Sequence, residues 1–84
     1  MKVKVLFFAS LRESLGVTGE DLALPDGVAT VDGLRRHLAA RGGEWSRLAG
    51  EANLRYAVNH DMAQPGTNLK GGDEIAFFPP VTGG

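Results

Sequence analysis

The sequence predicts an α+β domain in which a mixed β-sheet carries one main helix across one face and ends in an extended C-terminal tail. Three observations predict it. Apolar residues alternate with a period of two near both ends of the chain, one stretch between them keeps the helical period, and two prolines follow the last alternating stretch. Eighty-four residues leave room for one domain, and a chain of this length buries only about 60–65% of the surface it exposes when unfolded. With so small a core, the face on which each apolar residue falls carries information.

The elements follow in order. Met1 to Ser10 alternates as a strand, with Val3, Val5, Phe7 and Ala9 on one face and Lys2, Lys4, Leu6 and Phe8 on the other. Arg12 to Gly19 reads as a helical turn or a loop. Glu20 to Leu24 is a second short strand, stopped by Pro25-Asp26-Gly27, and the two strands suggest a hairpin. Thr30 is the N-cap of the main helix: Asp32 places negative charge in its first turn, Val31, Leu34 and Leu38 recur at helical spacing, and Arg41 precedes the stop Gly42-Gly43. Gly33 stands where a capping box has Glu or Gln, so that signature is incomplete. Glu44 to Leu48 allows one further turn. Leu54 to Asn59 is a third strand running into the turn Asn59-His60-Asp61, and Leu69-Lys70-Gly71-Gly72-Asp73 is a second turn that delivers the last strand, Glu74 to Phe78. Pro79-Pro80 ends that strand because neither proline donates to a ladder. Residues 1–78 thus form the domain and 79–84 the tail.

Composition excludes several functions. Nine Lys and Arg against ten Asp and Glu leave a net charge of -1, which offers no electrostatic drive toward nucleic acid or anionic lipid. The longest apolar run, Val5 to Ala9, is far short of the roughly 20 residues that span a bilayer, and the N-terminus lacks the apolar stretch of a signal peptide. A soluble cytoplasmic protein is expected. The absence of cysteine removes disulfides, thiolate metal sites and cysteine nucleophiles. His37 and His60 have no second ligand at metal spacing, so no metal site is expected. Gly71-Gly72-Asp73 lacks the Lys and Ser/Thr of a phosphate loop and reads as a turn. Asp32 with Arg35, Arg36 and Arg41 reads as a solvated helix face, though these arginines also suit an acidic partner.

One helix covers one face of a sheet. If Val3, Val5, Phe7, Ile75 and Phe77 share the helix side, Phe8 and Phe78 go to the opposite face, where nothing in the sequence is left to cover them. An exposed aromatic pair marks a partner surface. The alternative left open is that Phe8 and Phe78 tuck under the Arg12 to Gly19 loop.

The tail Pro79-Pro80-Val81-Thr82-Gly83-Gly84 has no apolar period with which to dock back. Its prolines favour an extended backbone, and its last two residues have no side chain, so it can thread a channel that any Cβ would block. The reactive group such a channel would meet is the carboxylate of Gly84, which is ionised at neutral pH and a poor electrophile until activated. Transfer of AMP from ATP gives a mixed anhydride. A sulfur nucleophile then leaves a thiocarboxylate, and a lysine leaves an isopeptide. Terminal Gly-Gly alone also fits an ordinary frayed end.

The residues resemble the small, sulfur-carrying subunits of molybdopterin synthase, which are ubiquitin-like β-grasp proteins. The resemblance rests on Lys4-Val5-Leu6-Phe7-Phe8-Ala9, on Ala57-Val58-Asn59, on Gly72-Asp73-Glu74, and above all on Ala76-Phe77-Phe78-Pro79-Pro80-Val81-Thr82-Gly83-Gly84. It implies that an ATP-dependent activating enzyme adenylates Gly84, which becomes a thiocarboxylate. This end enters a pocket of the large synthase subunit and gives sulfur to precursor Z, cyclic pyranopterin monophosphate, forming the molybdopterin dithiolene. Two small and two large subunits would make the synthase, with the catalytic groups on the large one. No cofactor would be bound to the small subunit, ATP being consumed by the activating enzyme. Phe8, Met62 and Phe78 match positions used at the family's partner surface, and Pro79 to Gly83 match the inserted tail. The stretches Arg12 to Asp26 and Arg41 to Asn53 match less well.

No Ser/His/Asp, Cys/His or paired-carboxylate arrangement is visible, so the chain reads as a carrier subunit and not a free-standing enzyme. The competing readings are a sulfur carrier for thiamin synthesis or tRNA thiolation, a ubiquitin-like protein modifier, and an interaction module with an idle tail.

Overall fold

The structure, a computed structural model, describes residues 1–50 and 54–79. Its elements are β1 (Lys2–Phe7), α1 (Ala9–Leu15), β2 (Gly19–Ala23), α2 (Val31–Ala39), a 3-10 turn (Gly43–Ser46) running into the short helix α3 (Arg47–Gly50), then β3 (Arg55–Val58), β4 (Asp61–Ala63) and β5 (Glu74–Phe78). The five strands form one mixed sheet in the order β2-β1-β5-β3-β4. The first and last strands lie side by side at its centre and run parallel, with Val5 opposite Ile75 and Phe7 opposite Phe77, while every other pairing is antiparallel.

Alternation decides the layers as the sequence predicts. Val3, Val5, Phe7, Ile75 and Phe77 are at most 2% exposed and pack with Val31, Leu34 and Leu38 of α2. Thr30 caps α2, its Oγ1 accepting from the Gly33 N–H at 3.0 Å, and Asp32 lies in the first turn with Arg36 and His37 in the last. An aromatic cluster fills the centre of the core. Phe77 stacks on Phe7 at 6.1 Å and meets Tyr56 edge-on at 5.6 Å, and Trp45 of the 3-10 turn meets Phe7 edge-on at 5.4 Å.

Four features differ from the sequence-based expectation. β1 stops at Phe7, and Ala9 and Ser10, expected in the strand, open α1 instead. Ala9 takes φ 54, a left-handed conformation that turns the chain out of the sheet, and Leu11 then buries completely in the core. Second, Asn59 and His60 both have positive φ and form a two-residue turn that returns the chain as β4, a fifth strand beginning at Asp61. Third, α3 extends the Glu44 to Leu48 turn and buries Leu48. Fourth, Arg41 does more than face solvent. It makes a two-pronged ion pair with Glu20 of β2 at 2.7 and 2.9 Å, and its guanidinium lies 4.4 Å from the Trp45 ring centre. That pair holds the Glu20 carboxyl below its usual range, the Arg41 hydrogen bond outweighing partial burial.

The two turns at one end of the sheet are latched together. Asn59 Nδ2 donates to Asp73 Oδ1 at 2.9 Å, the Glu74 N–H donates to Asn59 Oδ1 at 3.0 Å, and the Lys70 N–H donates to Asp73 Oδ2 at 2.8 Å. Asp73 is 5% exposed, and these donors hold its carboxyl below the ordinary carboxylate range, the Asn59 bond contributing most. Among the described residues no helix is long and apolar enough to cross a membrane.

Candidate functional site

Among the described residues no element covers the sheet face away from the helices. Its residues are those the alternation sends there, and the strand register arranges them in rows across the sheet. In the central row, Leu6 lies opposite Gly19 on one side and Ala76 on the other, Ala76 lies opposite Ala57, and Ala57 lies opposite Met62. This makes an apolar stripe across all five strands that reads Gly19, Leu6, Ala76, Ala57 and Met62 in strand order, two alanines lying between the larger Leu6 and Met62. Gly19 is needed in it: a Cβ there would come within 2.5 Å of the Val5 carbonyl oxygen and 2.9 Å of the Leu6 side chain.

Toward the end where the chain leaves the sheet, Phe8, Phe78 and Arg55 follow. The Phe8 N–H donates to the Phe77 carbonyl at 3.2 Å, extending the β1–β5 ladder by one bond, and Arg55 lies directly opposite Phe78. Phe8 is 44% exposed and Met62 65% exposed, while Phe78 and Pro79 are half-buried. Phe8 therefore does not tuck beneath the loop after β1, because α1 turns its buried residue, Leu11, into the core on the other side. Beside Arg55, a groove of about 220 Å³ runs along the end of the β3–β4 hairpin, walled by Leu54, Met62, Gln64 and Pro65 among others. Toward the opposite end, Lys4 lies between Asp21 and Glu74, and His60 Nε2 stands 3.3 Å from Glu74 Oε2.

The structure thus brings Phe8, Met62 and Phe78 onto one open face, with Pro79 following directly. Pro80, Val81, Thr82, Gly83 and Gly84 lie outside the described residues. Leu6, Ala57, Ala76 and Arg55 belong to the same face and were not singled out from the sequence, although the alternation that places Phe8 and Phe78 places them too. Among the described residues no group of three His, Asp or Glu side chains could hold a metal ion.

An open apolar sheet face at the root of a Gly-Gly tail is the feature to compare with known proteins. A family comparison matches residues 5–84 to the ThiS family. The chain belongs to the ThiS family. Its relatives within reach include the molybdopterin synthase sulfur carrier subunit of Haemophilus influenzae, 44% identical over 82 residues, which are 98% of this chain and 99% of that one. Among solved structures, SAMP1 of Haloferax volcanii, a small archaeal modifier protein, superimposes with TM-score 0.80 at 31% identity, all of both chains being covered. A complex of subunits 1 and 2 of the molybdopterin-converting factor from Helicobacter pylori contains a chain matching this ThiS-family fold with TM-score 0.68 at 27% identity, again over the whole of both chains. The ubiquitin-like β-grasp architecture expected from the resemblance is the one these neighbours share with this chain.

Proposed function

We propose that this chain is the sulfur carrier subunit of a molybdopterin synthase, a non-catalytic partner of the large subunit. The single observation that carries the reading is the full-length likeness, at 44% identity, to a sulfur carrier subunit of that enzyme. The fold supports it by leaving an apolar face uncovered where the tail begins.

The chemistry follows from the tail. The Gly84 carboxylate attacks the α-phosphorus of ATP on an activating enzyme, the bond to pyrophosphate breaks, and an acyl adenylate forms. A sulfur nucleophile displaces AMP and leaves a thiocarboxylate. On the large subunit this sulfur forms a bond to precursor Z, the carbon–sulfur bond of the tail is hydrolysed, and Gly84 returns to a carboxylate. A dithiolene holds two sulfurs and each tail delivers one, so each product consumes two thiocarboxylates; the resemblance implies an assembly of two small and two large subunits. In this scheme Phe8, Met62 and Phe78 dock the domain, Pro79 to Gly83 thread the channel, and Gly84 carries the sulfur. ATP is a substrate of the activating enzyme, and the carrier itself holds no cofactor. The place of action is the cytoplasm.

The test is conversion of precursor Z to molybdopterin by purified large subunit and thiocarboxylated carrier. Product should form with the parent chain and not with a chain lacking Gly84. Equal product from both would end the proposal. The likeness to a small archaeal modifier protein favours a second reading, conjugation to lysines through the same activated glycine. That reading predicts high-mass adducts in cell extracts that survive reducing agent.

A further inference from the structure

We propose that Arg55 orients the carrier on its large subunit by pairing with a carboxylate that the partner presents beside the root of the tail. The proposal rests on the sulfur-carrier reading and names a contact that reading does not require.

The open face is uneven in charge. At its turn end, Lys4 has Asp21 and Glu74 opposite it on the two neighbouring strands, so the cation there already has carboxylates beside it. The middle row is apolar. At the tail end, the one charged side chain in the row of Phe8 and Phe78 is Arg55. Arg35 and Arg36 share the Asp32 carboxylate and Arg41 holds Glu20, whereas Arg55, like Arg12 of α1, is exposed and has no ion pair among the described residues.

Position makes this imbalance consequential. Side chains directly opposite on neighbouring strands have Cβ atoms about 4.5–5.5 Å apart, so a partner that covers Phe78 also covers Arg55. A cation taken from water without a counter-charge opposes association, whereas a paired one favours it and penalises wrong partners. Apolar side chains such as Leu6, Ala76 and Ala57 give little resistance to sliding of a partner along the stripe. One cation at one end fixes the register. The groove beside Arg55, with Leu54, Met62 and Pro65 in its walls, has room for an aspartate or glutamate stem lying against apolar surface with its carboxylate at the guanidinium.

The experiment is titration of the large subunit with the full-length parent carrier and with Arg55→Glu, Arg55→Lys and Phe78→Ala carriers, at low and high salt. Arg55→Glu should bind about tenfold more weakly at low salt, with the deficit shrinking at high salt, and Arg55→Lys should stay within about threefold of the parent. Thermal unfolding of both Arg55 variants should match the parent, because Arg55 is exposed and makes no ion pair among the described residues. Arg55→Glu binding within about twofold of the parent, while Phe78→Ala binds weakly, would overturn the Arg55 contact and leave the docking reading intact. Parent-like binding by Phe78→Ala as well would remove the docking reading and the Arg55 contact with it. An equal, salt-independent loss in Arg55→Glu and Arg55→Lys would also overturn the contact, since charge would not be what acts.

Discussion

Phe7 and Phe8 are neighbours in the chain, as are Phe77 and Phe78, yet the two members of each pair meet different surroundings. Phe7 and Phe77 are at most 1% exposed and stack on each other inside the aromatic cluster, while Phe8 is 44% exposed and Phe78 half-buried on the open face. The chemistry of the four side chains is identical, so the difference comes only from strand parity and from there being helices on one face alone. On the covered face an aromatic ring stabilises the domain. On the open face it is available to a second protein.

Substitutions at these pairs test the comparison, and the largest effect belongs to the covered face. Phe77→Ala removes a fully buried ring and should cost about 3–5 kcal/mol, a large share of the roughly 5–15 kcal/mol that holds a typical domain together. Urea denaturation followed by circular dichroism reads this directly, and a loss below about 1 kcal/mol would break the assignment of Phe77 to the core. Phe78→Ala should lower stability far less but weaken binding to the large subunit by about tenfold or more, as loss of a central aromatic contact does. A large drop in melting temperature with unchanged affinity would reverse its role.

Two further substitutions sharpen the picture at the turn end, where polar bonds and not aromatic rings hold the sheet. Asn59→Ala removes two side-chain hydrogen bonds, leaves the buried Asp73 carboxylate short of a donor and should cost about 1–3 kcal/mol at neutral pH. Because the folded chain holds the Asp73 carboxyl below its ordinary 3.8, the stabilisation is complete above that value and is lost as pH falls through the lower folded-state value. The gap between parent and Asn59→Ala should therefore narrow below about pH 4, and a gap that widened there would contradict the assignment. The smallest effect is a gain. His60 holds φ 72 at the second position of the hairpin turn, where Gly is free of the steric cost, so His60→Gly should raise stability by about 0.5–1 kcal/mol in thermal melts despite losing the Glu74 contact. Destabilisation would mean that the His60–Glu74 pair matters more than the turn strain.

The same physics explains which parts of the fold were legible in the sequence. The period of two in Val3, Val5, Phe7 and in Ile75, Phe77 survives because one face is buried, and a slip of one residue would expose every one of them. The main helix was legible from Thr30, Asp32 and the spacing of Val31, Leu34 and Leu38. The end of β1 was not, because Ala9 continues the alternation and the break depends on a left-handed alanine that no glycine announces. β4 was hidden for a like reason: its hairpin turn uses Asn59-His60 without the usual glycine, and three residues are too few to show a period. The Arg41–Glu20 pair joins residues 21 apart in sequence, a separation at which no local pattern carries information. On the candidate site, the alternation sends Phe8 and Phe78, and Leu6 with them, to the face away from the helix, and Met62 follows from the resemblance alone, whereas the row that joins Leu6, Ala76 and Ala57 and the position of Arg55 opposite Phe78 need the register between strands.

The central claim is that the end of this chain carries sulfur, and intact mass measures it most directly. The parent chain and a chain lacking Gly84 are incubated with the activating enzyme, ATP and a sulfur donor, and weighed. A mass gain equal to replacement of one oxygen by sulfur, present in the parent and absent without Gly84, is the predicted result. No gain in the parent, under conditions that thiolate an established carrier, would contradict it.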